Sequence, residues 1–377
     1  MKEFYFDNAA TTKVCSEAAD TAYKIMTEIY GNPSSTHRIG RDATAVLKEA
    51  RFNVSNALGC EPSELYFTSC GSEGDNWAVI NGAEHMKHKG KHIITSSVEH
   101  DAVRKSVDKL ESLGFEVTRL TPEKDGSISF ESVINALRPD TILVSLMLVN
   151  NETGAITDIK EISKQLKKQK SNALLHTDAV QAYMKIPFKA KTLGADMITI
   201  SGHKIHAPKG IGALYIKKGL RIKPYIIGGS QESGFRAGTE SLPLIAAFGT
   251  ASKIAVSNLS EYSSHMLNLK NRFLDILSSN IEDFKYVDTA APHIVNVSFP
   301  GYRSEVILNY LDAKNIYVSK SSACKKGGRS HVLEAIGLDS RTIDGSIRVS
   351  FSRYNTDEEV DILCSTLIEA HNTLMHT

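Results

Sequence analysis

The chain has 377 residues, with 44 basic against 43 acidic side chains and a formal net charge of +1. This length predicts one large domain and a smaller one, and the balanced charge argues against direct nucleic-acid binding. The longest apolar runs are only strand-length and the first residues do not resemble a signal peptide, so we expect a cytoplasmic protein that makes no membrane contact. Five scattered cysteines without a Cys-x-x-Cys pair argue against a disulfide framework or a thiolate metal site.

Strand-length apolar runs alternate with stretches of helical spacing in the first part of the chain, which predicts an α/β layer of parallel strands and crossover helices. The predicted strands lie at 65–68, 92–96, 116–120, 141–148, 173–177, 197–201 and 212–216. A long helical stretch at 243–279 precedes shorter strands at 294–299 and 346–351. We place the domain boundary inside this helical stretch, which gives a large domain over 15–255 and a small domain formed by 1–14 and 256–377.

Polar residues directly follow several predicted strands, at the sheet edge where ligands bind in α/β proteins. Lys204 follows 197–201, and a deprotonated lysine amine can form a Schiff base with pyridoxal phosphate (PLP), although most lysines after strands are solvated. Asp178 could keep a pyridine nitrogen protonated, although such aspartates are more often helix N-caps. The turn 68–76 could bind phosphate and His100 could stack on a ring, but similar turns often bind nothing and a lone histidine is more often a cap.

Five short motifs occur in order along the chain. They read DNAATT at 7–12, GNPSSTH at 31–37, VNNETG at 149–154, SGHK at 201–204 and RAGT at 236–239. Together they make the chain resemble, nearly end to end, the class I cysteine desulfurases of the NifS/IscS type. The resemblance implies the PLP-dependent transferase fold type I of the aminotransferase class V family. This fold has a mostly parallel seven-stranded sheet between helices and a smaller α+β C-terminal domain.

The resemblance also assigns roles to individual residues. Lys204 matches the lysine that holds PLP and moves a proton, Asp178 matches the partner of the ring nitrogen, and Asn151 and Arg353 match the pair that binds the substrate carboxylate. Thr239 matches a residue that reaches the phosphate of a neighbouring subunit, which implies a homodimer with shared active sites. The remaining residues that match cofactor contacts are His100, which also counts as catalytic, and Gln181, Gly71, Ser72, Ser201 and His203.

The segment 319–328 is small, polar and ends in glycines, so it predicts a mobile loop that carries Cys324. On its residues alone, Cys324 could equally be an incidental exposed cysteine. The resemblance implies that it is the nucleophile that takes sulfur from L-cysteine as a persulfide, releasing L-alanine. The sulfur would then pass to an acceptor protein, such as an iron–sulfur scaffold or a tRNA-thiolation enzyme.

Two other functions remain open at this point. A selenocysteine lyase or another PLP-dependent β-lyase would not need Cys324, and a non-catalytic member could act as a scaffold for a sulfur-accepting partner. An aminotransferase fits less well because it has no use for a loop cysteine. The phosphate turn also departs from the family pattern, since Cys70 stands where glycine is more frequent; we interpret it as a space-filling residue.

Overall fold

The computed structural model of the protein describes residues 2–321 and 328–375. Its strands are β1 (Phe4–Tyr5), β2 (Leu65–Thr68), β3 (His92–Ser96), β4 (Glu116–Leu120), β5 (Thr141–Ser145), β6 (Leu174–Asp178), β7 (Met197–Ser201), β8 (Gly212–Ile216), β9 (Lys285–Tyr286), β10 (Ile294–Ser298), β11 (Ile316–Tyr317), β12 (Ser319–Lys320) and β13 (Ser346–Ser350). Its helices are α1 (Ser16–Thr27), α2 (Arg38–Leu58), α3 (Gly71–Asn76), α4 (Gly82–Met86), α5 (Asp101–Ser112), α6 (Phe130–Ala136), α7 (Ile159–Lys168), α8 (Ala190–Leu193), α9 (Leu242–Ser257), α10 (Leu259–Asn280), α11 (Ser304–Asp312), α12 (His331–Ala335), α13 (Ser340–Asp344) and α14 (Asp357–Thr373).

Within these described ranges, the central sheet has seven strands in the order β2-β8-β7-β6-β5-β3-β4. Only β8 runs antiparallel to its neighbours, β2 and β7. Every residue of β3, β5, β6, β7 and β8 is buried, as expected for strands covered by helices on both faces. The predicted α/β fold with a mostly parallel seven-stranded sheet is therefore confirmed.

Strand β5 is shorter than predicted, ending at Ser145 instead of residue 148. The backbone N–H groups of Leu146 and Leu148 still donate to carbonyls of β6, at 3.2 and 2.9 Å. Val149 then bridges to Ile156 instead of continuing the ladder, so the chain leaves the sheet in a turn beside the candidate site. The apolar run at 141–148 contains no residue that would predict this turn.

A second, antiparallel sheet has the order β12-β13-β10-β9 and lies in the C-terminal part of the chain. The N-terminal strand β1 pairs with β11, so residues 4–5 lie beside residues 316–317. Phe6 accordingly packs in one apolar cluster with Phe273 and Phe351, apart from the cluster around the central sheet. This packing is compatible with a small domain built from both chain ends, and the boundary near residue 255 stays a prediction.

The long helical stretch predicted at 243–279 is two helices, α9 and α10, bent by 77° where they meet. Asn258 separates them with non-helical dihedral angles, and its side-chain amide donates to the carbonyl of Ile254 at 3.0 Å, which satisfies a carbonyl near the end of α9. By length and composition, only this bent pair passes as a membrane-spanning candidate in residues 2–321 and 328–375, and no single helix does.

Candidate functional site

A cavity of about 340 Å³ opens at the carboxyl ends of β6 and β7, next to the start of α3. This is the sheet edge at which α/β proteins bind ligands. Residues named from the sequence that line the cavity are Gly71, Ser72, His100, Asn151, Asp178, Gln181, Ser201, His203 and Lys204. The fold therefore brings together side chains that lie more than a hundred residues apart in the chain.

Lys204 lies at the end of a short 3-10 turn that directly follows β7. Its Nζ donates to the carbonyls of Ala9 and Ala10, at 2.6 and 2.7 Å. The side-chain amide of Gln181 donates to the same Ala9 carbonyl at 2.8 Å. The N-terminal segment around residues 9–10 thus forms one wall of the cavity and fixes both side chains.

Asp178 is the last residue of β6 and only 6% exposed, with Oδ1 accepting the backbone N–H of Val180 at 2.9 Å. Burial raises the pKa of this carboxyl, while His100, the Val180 N–H group and Lys204 act in the opposite direction. His100 caps α5, because its Nδ1 accepts the N–H of Ala102 at 3.2 Å. His100 therefore serves as a helix cap and also lines the cavity, so the two interpretations of it are compatible.

Asp75 is a site residue that the sequence did not single out. It lies on α3, is 1% exposed and lines the same cavity. One ligand atom each from Asp75, His100 and Asp178 lie within 4.8 Å of one another. Two carboxylates and an imidazole at this spacing suit a positively charged group such as a protonated ring nitrogen.

The other end of the cavity offers donors for an anion. The Ser201 hydroxyl is buried and has no hydrogen-bond partner among the described residues. A Cβ atom on Gly71 would lie 2.8 Å from Cγ2 of Val180, so only glycine allows this close approach at the start of α3. Burial, followed by the Lys204 charge, lowers the pKa of His203 to about 4 and keeps its ring neutral. A lysine amine, a carboxylate for a ring nitrogen and free donors for a phosphate together fit PLP.

The cavity wall also contains Arg348, whereas Arg353 is not among the lining residues. Arg348 is 3% exposed and donates to the Asn151 carbonyl at 2.8 Å and to Asp7 at 2.9 Å, and its buried Nε has no partner among the described residues. The Arg353 guanidinium lies 4.8 and 4.9 Å from the ring centroids of Tyr262 and Tyr354. A charged residue inside the buried strand β13 was the signal for Arg348, because such residues are rarely buried without a partner.

A buried amine, that of Lys185, was also missed. It is 4% exposed, and burial, with the charges of Arg353 and Lys204, lowers its pKa to about 7. A large fraction of this amine is therefore deprotonated near neutral pH, which is the form that reacts with an aldehyde. Lys185 does not line the cavity, so its position distinguishes it from Lys204.

Within the described ranges, one predicted residue besides Arg353 does not line the cavity. Thr239 is exposed and lies outside it in this single chain. Cys324 lies outside the described residues, so its predicted role stays a prediction. Cys70 does line the cavity, with Sγ 3.6 Å from the Ser69 hydroxyl.

Comparison with known proteins identifies the family. The aminotransferase class-V family model matches residues 4–363. A cysteine desulfurase IscS from Methanosarcina thermophila is 43% identical over 366 residues, covering 96% of this chain and 90% of that protein. A solved NifS-like protein has a TM-score of 0.94 at 37% identity, covering 99% and 100% of the two chains. The structure of SspA in complex with cysteine has a TM-score of 0.82 at 34% identity, covering 94% and 100%. The chain belongs to the aminotransferase class-V family.

Proposed function

We infer that the protein is a PLP-dependent cysteine desulfurase that converts L-cysteine to L-alanine and retains the sulfur as a persulfide on Cys324. The observation that carries this inference is that Lys204, Asp178 and Arg348 line one cavity in a chain 43% identical to a cysteine desulfurase. These three side chains provide an amine for the cofactor, a partner for its ring nitrogen and a cation for the substrate carboxylate. The comparisons do not favour the selenocysteine-lyase or scaffold alternatives.

Bound PLP supplies an electron sink that makes bonds at Cα and Cβ of an amino acid reactive. Lys204 would hold the cofactor through its amine and would then move a proton at the substrate Cα. Asp178 would pair with the ring nitrogen, His100 would stack on the ring and Gln181 would donate to the ring oxygen. Gly71, Ser72, Ser201 and His203 would hold the phosphate, and Thr239 would be contributed from a second subunit.

The substrate carboxylate is assigned to Arg348 and Asn151, in place of the Arg353 and Asn151 pair expected from the sequence. A planar guanidinium forms two parallel hydrogen bonds to a carboxylate, and the unpartnered Nε of Arg348 leaves a donor available. Arg348 is in turn oriented by Asp7 and by the Asn151 carbonyl. The Nε of Arg353 also has no partner among the described residues, but Arg353 does not line the cavity and its guanidinium packs against the Tyr262 and Tyr354 rings.

We predict that Arg348→Lys raises the KM for L-cysteine about tenfold or more, because an ammonium group cannot replace the two-point contact. Arg353→Lys is the matched control and should change KM less than about threefold. Steady-state alanine production measures both variants, and thermal unfolding checks that each remains folded. A larger effect of Arg353→Lys would return the carboxylate to Arg353.

In the sulfur step, the Cys324 thiolate attacks the substrate sulfur and the Cβ–S bond breaks. The electron pair of that bond stays with the carbon fragment, which takes up a proton and leaves as alanine. The new S–S bond leaves Cys324 as a persulfide, so L-cysteine and a thiol become alanine and a persulfide with no external oxidant. An acceptor protein then takes this sulfur; an iron–sulfur scaffold or a tRNA-thiolation enzyme has the required chemistry.

Cys324→Ala should abolish both persulfide formation and alanine turnover while leaving PLP bound. Alanine is measured after single and multiple turnovers, the persulfide by mass spectrometry of the intact protein, and the cofactor by its absorbance. Cys70→Ala serves as the control, because Cys70 lies in the cavity but has no assigned step. Full alanine turnover by Cys324→Ala would contradict the mechanism and indicate a lyase that needs no thiolate.

The working form is a homodimer located in the cytoplasm. Exposed apolar side chains on and after α1, including Tyr23 at 66% and Tyr30 at 70%, together with Ile227 at 90%, support an interface with a second copy. The exposed position of Thr239 agrees with a role toward a neighbouring subunit. Free thiols at Cys15, Cys60, Cys70 and Cys364 support a reducing compartment.

Sedimentation equilibrium should therefore give twice the chain mass of 41.3 kDa. Introducing a charge at one of these exposed apolar positions, as in Tyr30→Glu, should shift the protein toward the monomer and weaken PLP binding, because Thr239 would then lack a neighbouring site. Lys160→Glu, an exposed change on α7, is the control for added negative charge. A monomeric wild-type protein with full PLP occupancy would contradict the shared-site dimer.

A further inference from the structure

Three carboxyl groups lie buried in the cavity wall or beside it. Asp75, Glu99 and Asp178 are 1%, 1% and 6% exposed. Burial raises the pKa of Glu99 to about 8, although it accepts hydrogen bonds from Ser96 and the Met147 N–H group. Full ionisation of all three groups would place three negative charges in one desolvated region, which is strongly unfavourable.

Of these three carboxyl groups, Asp75 has the fewest stabilising contacts. Its Oδ1 has no hydrogen-bond partner among the described residues. The Nε2 atom of His176 lies 3.6 Å away, but burial lowers the pKa of His176 to about 3, so this imidazole is neutral and forms no ion pair. The His176 ring instead forms hydrogen bonds, from Nε2 to the Thr199 hydroxyl at 3.0 Å and from Nδ1 to the Ser145 hydroxyl at 2.8 Å.

The pKa of Asp75 depends on its burial and on charged and hydrogen-bonding groups of several neighbouring elements. Burial and the neighbouring Asp178 carboxylate raise the pKa of Asp75 well above its ordinary value, and Thr199 acts in the opposite direction. Asp178 has more stabilisation, from the Val180 N–H group and from the nearby charges of His100 and Lys204. The titratable groups facing the pair are Glu99, His100, His176, Cys70 and Lys204.

We propose that Asp75 is a positioning residue that shares one proton with Asp178, so that the two side chains together present a single negative charge to the cofactor ring nitrogen. Two carboxyl groups this close in a desolvated site behave as a pair whose protons leave in two separate steps. The shared proton rests mainly on Asp75, and Asp178 is the ionised member. The role of the ring nitrogen rests on the proposed function, whereas the shared proton is a property of the protein alone.

The sign of the pH effect follows from this arrangement. Below the pH at which the shared proton leaves, wild type and Asp75→Asn both present one negative charge and should bind PLP equally well. Above it, the wild-type pair gains a second negative charge, which favours a protonated ring nitrogen. Wild type should therefore bind PLP progressively more tightly than Asp75→Asn as the pH rises, by about tenfold at the alkaline end.

The experiment compares wild type, Asp75→Asn and Glu152→Gln, each with and without PLP. Infrared spectra of the PLP-free proteins at neutral pH should show a carboxylic acid C=O stretch in wild type that Asp75→Asn lacks. The PLP dissociation constant is then measured across pH from the cofactor absorbance. Glu152→Gln is the matched control, because burial raises the pKa of Glu152 to about 7 but its carboxyl is not part of the Asp75 cluster. The ratio of the PLP dissociation constant of Glu152→Gln to that of wild type should not change with pH.

Asp178→Asn provides a second, reciprocal measurement on the PLP-free protein. Removing the Asp178 charge should lower the pH at which the Asp75 carboxylic acid band disappears. The proposal is overturned if Asp75→Asn loses no acid band, if Asp178→Asn leaves the Asp75 band unmoved, or if the PLP affinity ratio of wild type to Asp75→Asn is independent of pH. Failure of wild type to bind PLP would instead contradict the proposed function, and the infrared result would still decide the shared proton.

Discussion

The geometry of the site depends on one constraint, the parallel alignment of β6 and β7. Because the two strands run side by side in register from His176 and Met197, they must end at the same edge of the sheet. Asp178 and Lys204 therefore open on one cavity although twenty-five residues, which include α8 and β7 itself, lie between them in the chain. The Asp178 carboxylate and the Lys204 amine are therefore positioned by a hydrogen-bonded sheet, which is more rigid than a loop.

The N-terminal segment also helps to position the side chains of the site. Its carbonyls at Ala9 and Ala10 accept from Lys204 and Gln181, and nearby Asp7 holds Arg348. The same segment is anchored through β1 to β11 and through the Ala9 N–H group to Ser350. The Lys204 side and the Arg348 side of the cavity are thus joined through a few residues of the N-terminal segment, so a disturbance there would affect both.

Much of this arrangement could be predicted from the sequence, for identifiable reasons. Buried parallel strands give continuous apolar runs, so their ends, and with them Lys204 and Asp178, were located correctly. Arg348 was missed because a motif resemblance directed attention to Arg353, five residues later, although a charged residue within a buried strand was itself a signal. Asp75 could not be found, because its significance comes from its distance to Asp178, which only the packing of α3 against the sheet determines. The break at Asn258 was equally hidden, since both helices have the same helical spacing.

The central claim is that Lys204 is the amine that holds PLP, and the most direct test is to reduce the PLP-loaded protein with borohydride and map the modified peptide. Lys185 makes the test discriminating, because it is a buried lysine near Lys204 whose pKa is lowered to about 7, so that much of its amine is uncharged at neutral pH. The account predicts that the label lies on Lys204 and disappears in Lys204→Ala, while Lys185→Met keeps it. A label on Lys185, or full labelling of the Lys204→Ala protein, would contradict the account.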